Sequence, residues 1–295
     1  MPNKSKPKNL KPSHHFSLFW QYQNQPPDTQ AACCPYCQSR EVVKRGQRKN
    51  KYQSVQLYQC KHCQKAFTKQ LIKNKHYPLK VILEAVSLYN LGYSQAKASQ
   101  LLKEKYGLAI KPSTISNWKE ELKPLCRYDR LRSKAARLYP PPKTIQSYIF
   151  RHQQVYYYRC HQAKLDLLLQ TKEFAKFKPL KTWLQTVKKN CPHDLFQAGE
   201  RSSRAKAAID LNQVQVNHIK NHATRLAQLV LQAVGHNRLR HEALQQFMLA
   251  NDSVTVAMEI PVYLKPQDIK HFKKKQNFQI PFPLNQTITD HIDLL

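Results

Sequence analysis

Acidic side chains are scarce: 18 Asp and Glu stand against 49 Lys and Arg in 295 residues, a formal charge of +31. Self-repulsion on that scale opposes compaction unless a polyanion is the working partner, so nucleic acid is the leading candidate. Glycine is scarcer still, with five in the chain, and neither G-x-G-x-x-G nor G-K-[ST] occurs. That excludes the usual dinucleotide and P-loop phosphate cradles. Long apolar runs are missing too, and none approaches the ~20 residues of a spanning helix. The N-terminus, "MPNKSKPKNLKPSHHF", lacks the apolar core of a secretory signal. A soluble, cytoplasmic protein with no membrane partner is the expectation. The eight cysteines are then not read as a disulfide framework.

The length allows two or three domains, each with its own core. Basicity is steepest at the front, where residues 1–77 hold 15 basic and 2 acidic side chains (Asp28 and Glu41). The fold class expected is an α+β chain of modules. A flexible basic arm occupies 1–30, with Phe16, Phe19 and Trp20 as an apolar island. A cysteine-paired, strand-like segment follows over 31–70, then a helical unit over 76–124. Residues 125–234 are expected to be linker and helical connector, with "YPPPKT" as the linker mark and most of 145–250 read as helix. After Asn251 the β-branched "SVTVAMEIPVYL" and the final "TITDHIDLL" read as strands.

Cys34-Pro-Tyr-Cys37 and Cys60-Lys-His-Cys63 are two C-x-x-C pairs with 22 residues between them. Each pair places two thiolates on one side of a tight turn, and two such turns supply a tetrahedral four-sulfur site suited to Zn²⁺. The intervening "REVVKRGQRKNKYQSVQLYQC" reads as strand, basic loop, strand, so a zinc ribbon is expected with Gly46–Gln53 as an extended loop. Cys33 and His62 are spare ligands nearby. Cys126, Cys160 and Cys191 are read as ordinary buried thiols. Lys44, Arg45, Arg48 and Lys49 at the ribbon tip are candidate phosphate contacts.

Three helical patterns follow. Leu79, Ile82, Leu83 and Val86 share one face, and Gly92 is placed to stop that helix. Ser94 caps a second helix, with Ala98, Leu101 and Leu102 inward and Gly107 at its end. Pro112 opens a third, with Ile115, Trp118 and Leu122 inward. Ser113, Thr114, Ser116, Asn117 and Lys119 remain outward, side chains of the type that read base edges and hold phosphates.

Here a resemblance enters. "CPYC…VVKRG…YQCKHCQKAF" followed by "LGYSQAKASQLLKEKYGLAIKPSTISNW" resembles the DNA-binding half of insertion-sequence transposases, a zinc ribbon followed by a helix-turn-helix. It covers residues 33–123 and implies Cys34, Cys37, Cys60 and Cys63 as zinc ligands and the Ser113–Glu121 helix as DNA reader. Such transposases continue into a ribonuclease-H-like domain with acids on apolar strands. Residues 145–250 are expected to offer no such strand, and Asp166 and Asp210 fall in helical patterns.

At the C-terminal end, "GHNRLRHEALQQFML", "SVTVAMEIPVYL" and "ITDHIDLL" give helix, strand, strand, with an acid on each. The order resembles RecB-like members of the PD-(D/E)XK nucleases over residues 235–295. It implies His241 or Glu242 as the helix ligand and Asp293 as the strand acid, with Asp290 where that family has Gly. Glu259 is a further candidate on the first strand. The implied catalytic set is Glu242, His241, Asp293 and Glu259, around Mg²⁺. The family's next strand would carry (D/E)-x-K, so a truncated nuclease-like domain that cuts poorly is expected, with the Thr287–Leu295 edge unpaired. The reading that follows is a zinc-dependent DNA-binding protein of mobile-element origin, with DNA as partner and a homodimer as its expected assembly. The alternative is a Mg²⁺-dependent nuclease targeted by the same DNA-binding half.

Overall fold

The computed structural model describes residues 33–70, 72, 74–169, 176–201, 221–276 and 287–295. The basic arm with Phe16, Phe19 and Trp20, and Asp210, lie outside the described residues. Within them the chain is α+β, with ten helices, a three-stranded antiparallel sheet and a five-stranded sheet.

The small sheet pairs β1 (Val42–Lys49) with β2 (Ser54–Cys60) and β2 with β3 (Ala66–Phe67). The extended loop expected over Gly46–Gln53 is corrected to a longer hairpin. Register runs Lys44↔Tyr58 and then Gln47↔Gln56, so one extra residue is absorbed as a bulge, and Lys49 still faces Ser54. The extra length went into strand because backbone pairing satisfies groups that a loop would leave to water.

Helices α1 (Leu79–Asn90), α2 (Gln95–Tyr106) and α3 (Pro112–Leu122) form the expected triplet. The amide of Gly92 donates to Tyr89 O at 3.0 Å and that of Tyr93 to Leu88 O at 3.2 Å, a Schellman closure around Gly92 at φ 107°. Ser94 Oγ accepts from the Lys97 amide, and Gly107 ends α2 at φ 67°. The core of this unit is not self-contained. Leu226, Leu229 and Val230 of α8 (His222–Ala233) and Ala243, Phe247 and Met248 of α9 (Asn237–Asn251) pack into it. A buried amide chain ties the two ends of the sequence together. Asn90 Nδ2 donates to Asn251 Oδ1 at 2.8 Å, and Asn251 Nδ2 donates to Ser87 Oγ at 2.8 Å. Residues 223–251, read as one helical stretch, break at Val234–His236, with Val234 extended at φ −110° and ψ 109°.

Helix α4 (Asp129–Leu138) and a short 3₁₀ turn (Pro141–Lys143) lead into the second sheet. Residues 145–161, expected to be helical, are instead a hairpin: β4 (Ile145–His152) paired to β5 (Gln154–His161) from Ile145↔His161 to His152↔Gln154. The stretch alternates with period two, and Phe150, Tyr156, Tyr158 and Cys160 are its buried apolar side chains, with His152 and His161 buried beside them. Aromatic and β-branched side chains fit that pleat better than a helix. Neither strand carries an acid. Helices α5 (Gln162–Leu168), α6 (Lys178–Asn190) and α7 (His193–Ala198) follow, then β6 (Glu200–Arg201). β7 (Ala257–Leu264) leads to α10 (Pro266–Gln276) and then β8 (Ile288–Leu294). Helix α10 was not anticipated, although Pro266 at its start and Asp268 Oδ2 accepting from the Lys265 amide at 2.8 Å are start signals.

The sheet order is β4-β5-β7-β8-β6. It therefore joins strands from both sides of the boundary expected at residue 235. The edge expected to be unpaired at Thr287–Leu295 is covered in part: among the described residues β6 pairs with it at Ile288 and Thr289 alone. β8 pairs antiparallel with β7 from Met258↔Leu294 to Leu264↔Ile288, and in parallel with β6 at Ile288 and Thr289. Leu295 itself closes the ladder, its carbonyl accepting from the Val256 amide at 2.7 Å.

Lys164 on α5 is wholly buried beneath this junction. Its Nζ donates to Leu249 O at 2.6 Å and Thr255 O at 2.8 Å, fixing the turn between α9 and β7. Burial pulls its pKa down to about 7, with Asp252 opposing. Between that value and the unfolded one near 10.4, the unfolded chain binds one more proton, so stability rises with pH by up to about 1.4 kcal/mol per unit. Denaturant unfolding should show Lys164→Met with a shallower rise between pH 7 and 8.5 than the parent chain. Equal slopes would contradict the buried, depressed lysine.

Candidate metal centres and nucleic-acid interface

Cys34, Cys37, Cys60 and Cys63 come together, their sulfurs all within 4.8 Å of one another. Cys34 Sγ lies 3.5 Å from Cys63 Sγ, and Cys37 Sγ lies 3.5 Å from Cys60 Sγ. Tetrahedral zinc–thiolate bonds of about 2.3 Å ask for sulfur separations of roughly 3.8 Å, close to this. Each knuckle turns through a glutamine in the left-handed region, Gln38 at φ 60° and Gln64 at φ 58°. The two amides then return to Cys34 O and Cys60 O. The Cys60 thiol is pulled down to about 6, chiefly by the Cys63 amide. This donor set is compatible with structural Zn²⁺. Cys33 is exposed and, like His62, stands outside the cluster.

Lys44, Arg45, Arg48 and Lys49 lie on β1 rather than on a loop, and all four are exposed. The hairpin end is fastened to the helical unit. Gln53 Nε2 donates to Lys75 O and Tyr77 O, both at 3.0 Å, and Tyr52 stacks on Tyr77 with centroids 4.5 Å apart. Tyr77 in turn meets Trp118 of α3 edge-on at 5.2 Å. On α3, Ile115, Trp118 and Leu122 are buried, Ser113 and Asn117 are exposed, and Thr114 and Ser116 are half-buried. Lys119 is engaged internally, 2.6 Å from Glu120 and over the Tyr89 ring at 5.0 Å. That placement leaves its ammonium group already paired.

Three of the four acids and imidazoles expected to be catalytic converge: His241 on α9, Glu259 on β7 and Asp293 on β8. His241 Nε2 lies 3.0 Å from Asp293 Oδ2, and His241 Nδ1 lies 3.9 Å from Glu259 Oε1. The register Met258↔Leu294 and Ile260↔Ile292 sets Glu259 opposite Asp293. Gln245 Nε2 braces the group, donating to Glu259 Oε1 at 2.5 Å and to Asp293 O at 3.2 Å. Burial raises the Glu259 carboxyl above its ordinary range, and Asp293 adds to this. Glu259 also holds φ 53° inside a strand, a conformation that non-glycine residues avoid. Glu242 is not part of this cluster. Its Oε1 accepts from Gln246 Nε2 at 3.0 Å, and burial raises its pKa while Arg159 opposes. Asp166 is tied to Tyr139 at 2.6 Å and Lys181 at 2.8 Å, away from these residues.

The sequence reading missed a second cluster. His152 at the end of β4, Cys191 after α6 and His193 opening α7 bring one ligand atom each within 4.8 Å of the others. Cys126 and Cys160 are buried thiols as expected, each pushed up to about 12 by burial. Cys191 is buried too, but beside two imidazoles. Its one sequence clue is the C-x-H spacing of Cys191-Pro192-His193. Burial drives His152 down to about 4 and His291 to about 3, so both rings are neutral at ordinary pH.

Among the described residues no helix is long and apolar enough to cross a membrane. Comparison of the chain with protein-family models, curated proteins and solved structures finds no match.

Proposed function

We propose that this chain is a zinc-dependent DNA-binding protein of transposase-like, mobile-element origin. One observation carries the reading: a four-cysteine ribbon with an exposed basic strand is latched, through Gln53, Tyr52 and Tyr77, to a helix-turn-helix with exposed Ser113 and Asn117. The ribbon's Lys44, Arg45, Arg48 and Lys49 contact phosphates, and α3 enters the major groove to read base edges. The formal charge of +31 supplies the long-range attraction.

The test is a salt series on duplex DNA. Affinity should fall by roughly 0.9 decade per decade of salt for each phosphate neutralised. Asn117→Ala should cost about 1–3 kcal/mol on a selected site and little on random duplex. Arg45→Ala should weaken all sequences alike and lower the salt slope by about one. A flat salt profile would exclude phosphate contact, and an Asn117→Ala loss that is equal on all sequences would exclude α3 as reader.

A second reading, a nuclease acting on the bound DNA, is favoured by the convergence of His241, Glu259 and Asp293. One imidazole with two carboxylates suits a borderline cation such as Mn²⁺ better than Mg²⁺, which prefers oxygen ligands throughout. A cation held there would polarise a phosphate oxygen and acidify a bound water. Mn²⁺-dependent nicking of plasmid that Asp293→Ala abolishes would establish this activity, and its absence would leave DNA binding alone.

A further inference from the structure

We propose that His152, Cys191 and His193 form a second transition-metal site, a three-ligand Zn²⁺ centre independent of the ribbon and of the His241–Glu259–Asp293 cluster. The local architecture brings the ligands in from separate elements. His152 is the last residue of β4, and its hairpin turns at once through Gln153 at φ 59°. The Gln153 side chain pins that tip, its Nε2 donating to Gly199 O at 2.8 Å just beyond α7. Cys191 and His193 flank Pro192, which links the end of α6 to the start of α7.

The outer contacts match what metal-bound imidazoles require, namely a fixed partner for the nitrogen that does not face the ion. His193 Nε2 lies 3.1 Å from Lys188 O, a carbonyl that can only accept, so its proton sits on Nε2 and Nδ1 carries the lone pair. That Nδ1 lies 2.8 Å from His152 Nε2, and the opposite nitrogen, His152 Nδ1, is anchored on His291 Nε2 at 2.9 Å. Two ring nitrogens therefore face each other with their back sides already held. Between two imidazoles alone this contact is a hydrogen bond. The buried thiol of Cys191 beside it has no need to be there for that bond. A thiol and two imidazoles within 4.8 Å form a borderline-soft donor set that selects zinc or cobalt over magnesium.

The surroundings are aromatic, with His193 the half-exposed member. Phe196 stacks on His152 at 4.4 Å, and Tyr156 lies flat on His291 at 3.4 Å. His152 is 2% and Cys191 5% exposed. Three protein ligands leave one coordination position for water or an exogenous donor. An ion here clamps the β4–β5 tip to the α6–α7 joint. His291, its outer partner, lies on β8 two residues before Asp293.

The experiment is zinc counting on the full chain after exhaustive dialysis. The parent chain should hold one equivalent more than Cys191→Ser or His193→Ala, each retaining its helical circular dichroism and the ribbon's own zinc. Equal zinc in parent and variants overturns the site. Exchange of zinc for Co²⁺ in the unmutated chain decides the matter if both variants unfold. Thiolate-to-cobalt absorption should then grow in two stages, the weaker one belonging to a single sulfur. Absorption that saturates at one thiolate-bound cobalt overturns the proposal, and an oxygen-rich site such as His241–Glu259–Asp293 cannot mimic it because it has no sulfur.

Discussion

Removing zinc from the four-cysteine site should unfold residues 33–68 and, on the proposed reading, cut DNA affinity at least tenfold while leaving the helical unit folded. The ribbon's buried apolar cluster is Cys34, Tyr58, Cys60 and Phe67, with Val55 buried outside it. Two aromatic side chains contribute on the order of 5 kcal/mol when buried. Ordering costs roughly 1–2 kcal/mol of backbone entropy per residue, so packing alone does not hold this module. Zinc binding in small modules supplies about 10–16 kcal/mol, two to three times what those two side chains contribute. The three-helix unit has a different balance. Its core runs from Val81 to Leu122 and continues into α8 and α9, so it survives without the ribbon. Cys60→Ser and chelation should therefore have the same consequence: loss of one zinc equivalent, loss of the ribbon's share of the strand signal, and rapid proteolysis confined to the front of the chain. A ribbon that stays protease-resistant without metal would sink the four-sulfur assignment.

What could be read from the sequence was local. Ser94, Gly92 and Gly107 mark helix ends by short-range chemistry, a side-chain cap or a positive φ, and the structure uses each one in that way. The two C-x-x-C pairs are equally local, since each knuckle is a single turn. The β4–β5 hairpin was missed because "QVYYYRCHQAKLDLLL" runs from a strand into a helix without a glycine or proline between them. An aromatic-rich stretch of that kind suits either state until its partner strand is known. The second metal cluster was harder still, since its ligands come from β4 and the α6–α7 joint and no spacing rule links them. Lys119 illustrates the limit on a single side chain. It was expected to point outward on α3, but its side chain is largely covered, and its engagement with Glu120 and Tyr89 depends on how α3 packs against α1.

Glu259→Gln should abolish Mn²⁺ binding without lowering stability, and Glu242→Gln should leave Mn²⁺ binding intact. The resemblance favoured Glu242 as a helix ligand and left Glu259 a further candidate, but only Glu259 shares a cluster with His241 and Asp293. An amide at 259 keeps the shape and an oxygen for Gln245 Nε2 while removing a negative charge set opposite Asp293. Repulsion between those carboxylates therefore falls in the variant, and so does the attraction for a cation, since only one acid remains beside the imidazole. The backbone offers an independent check. Holding a side-chain-bearing residue at φ 53° costs on the order of 1–3 kcal/mol, a cost glycine does not incur. Glu259→Gly should then be more stable than Glu259→Ala by about 1 kcal/mol, the reverse of the usual order inside a strand. That reversal would mark strain retained at the position that holds the carboxylate of the cluster. Isothermal titration with Mn²⁺ and thermal unfolding of the four variants measure both effects. Parent-like Mn²⁺ affinity in Glu259→Gln, or Glu259→Ala matching or exceeding Glu259→Gly in stability, would remove the case for a cation site built on this strand.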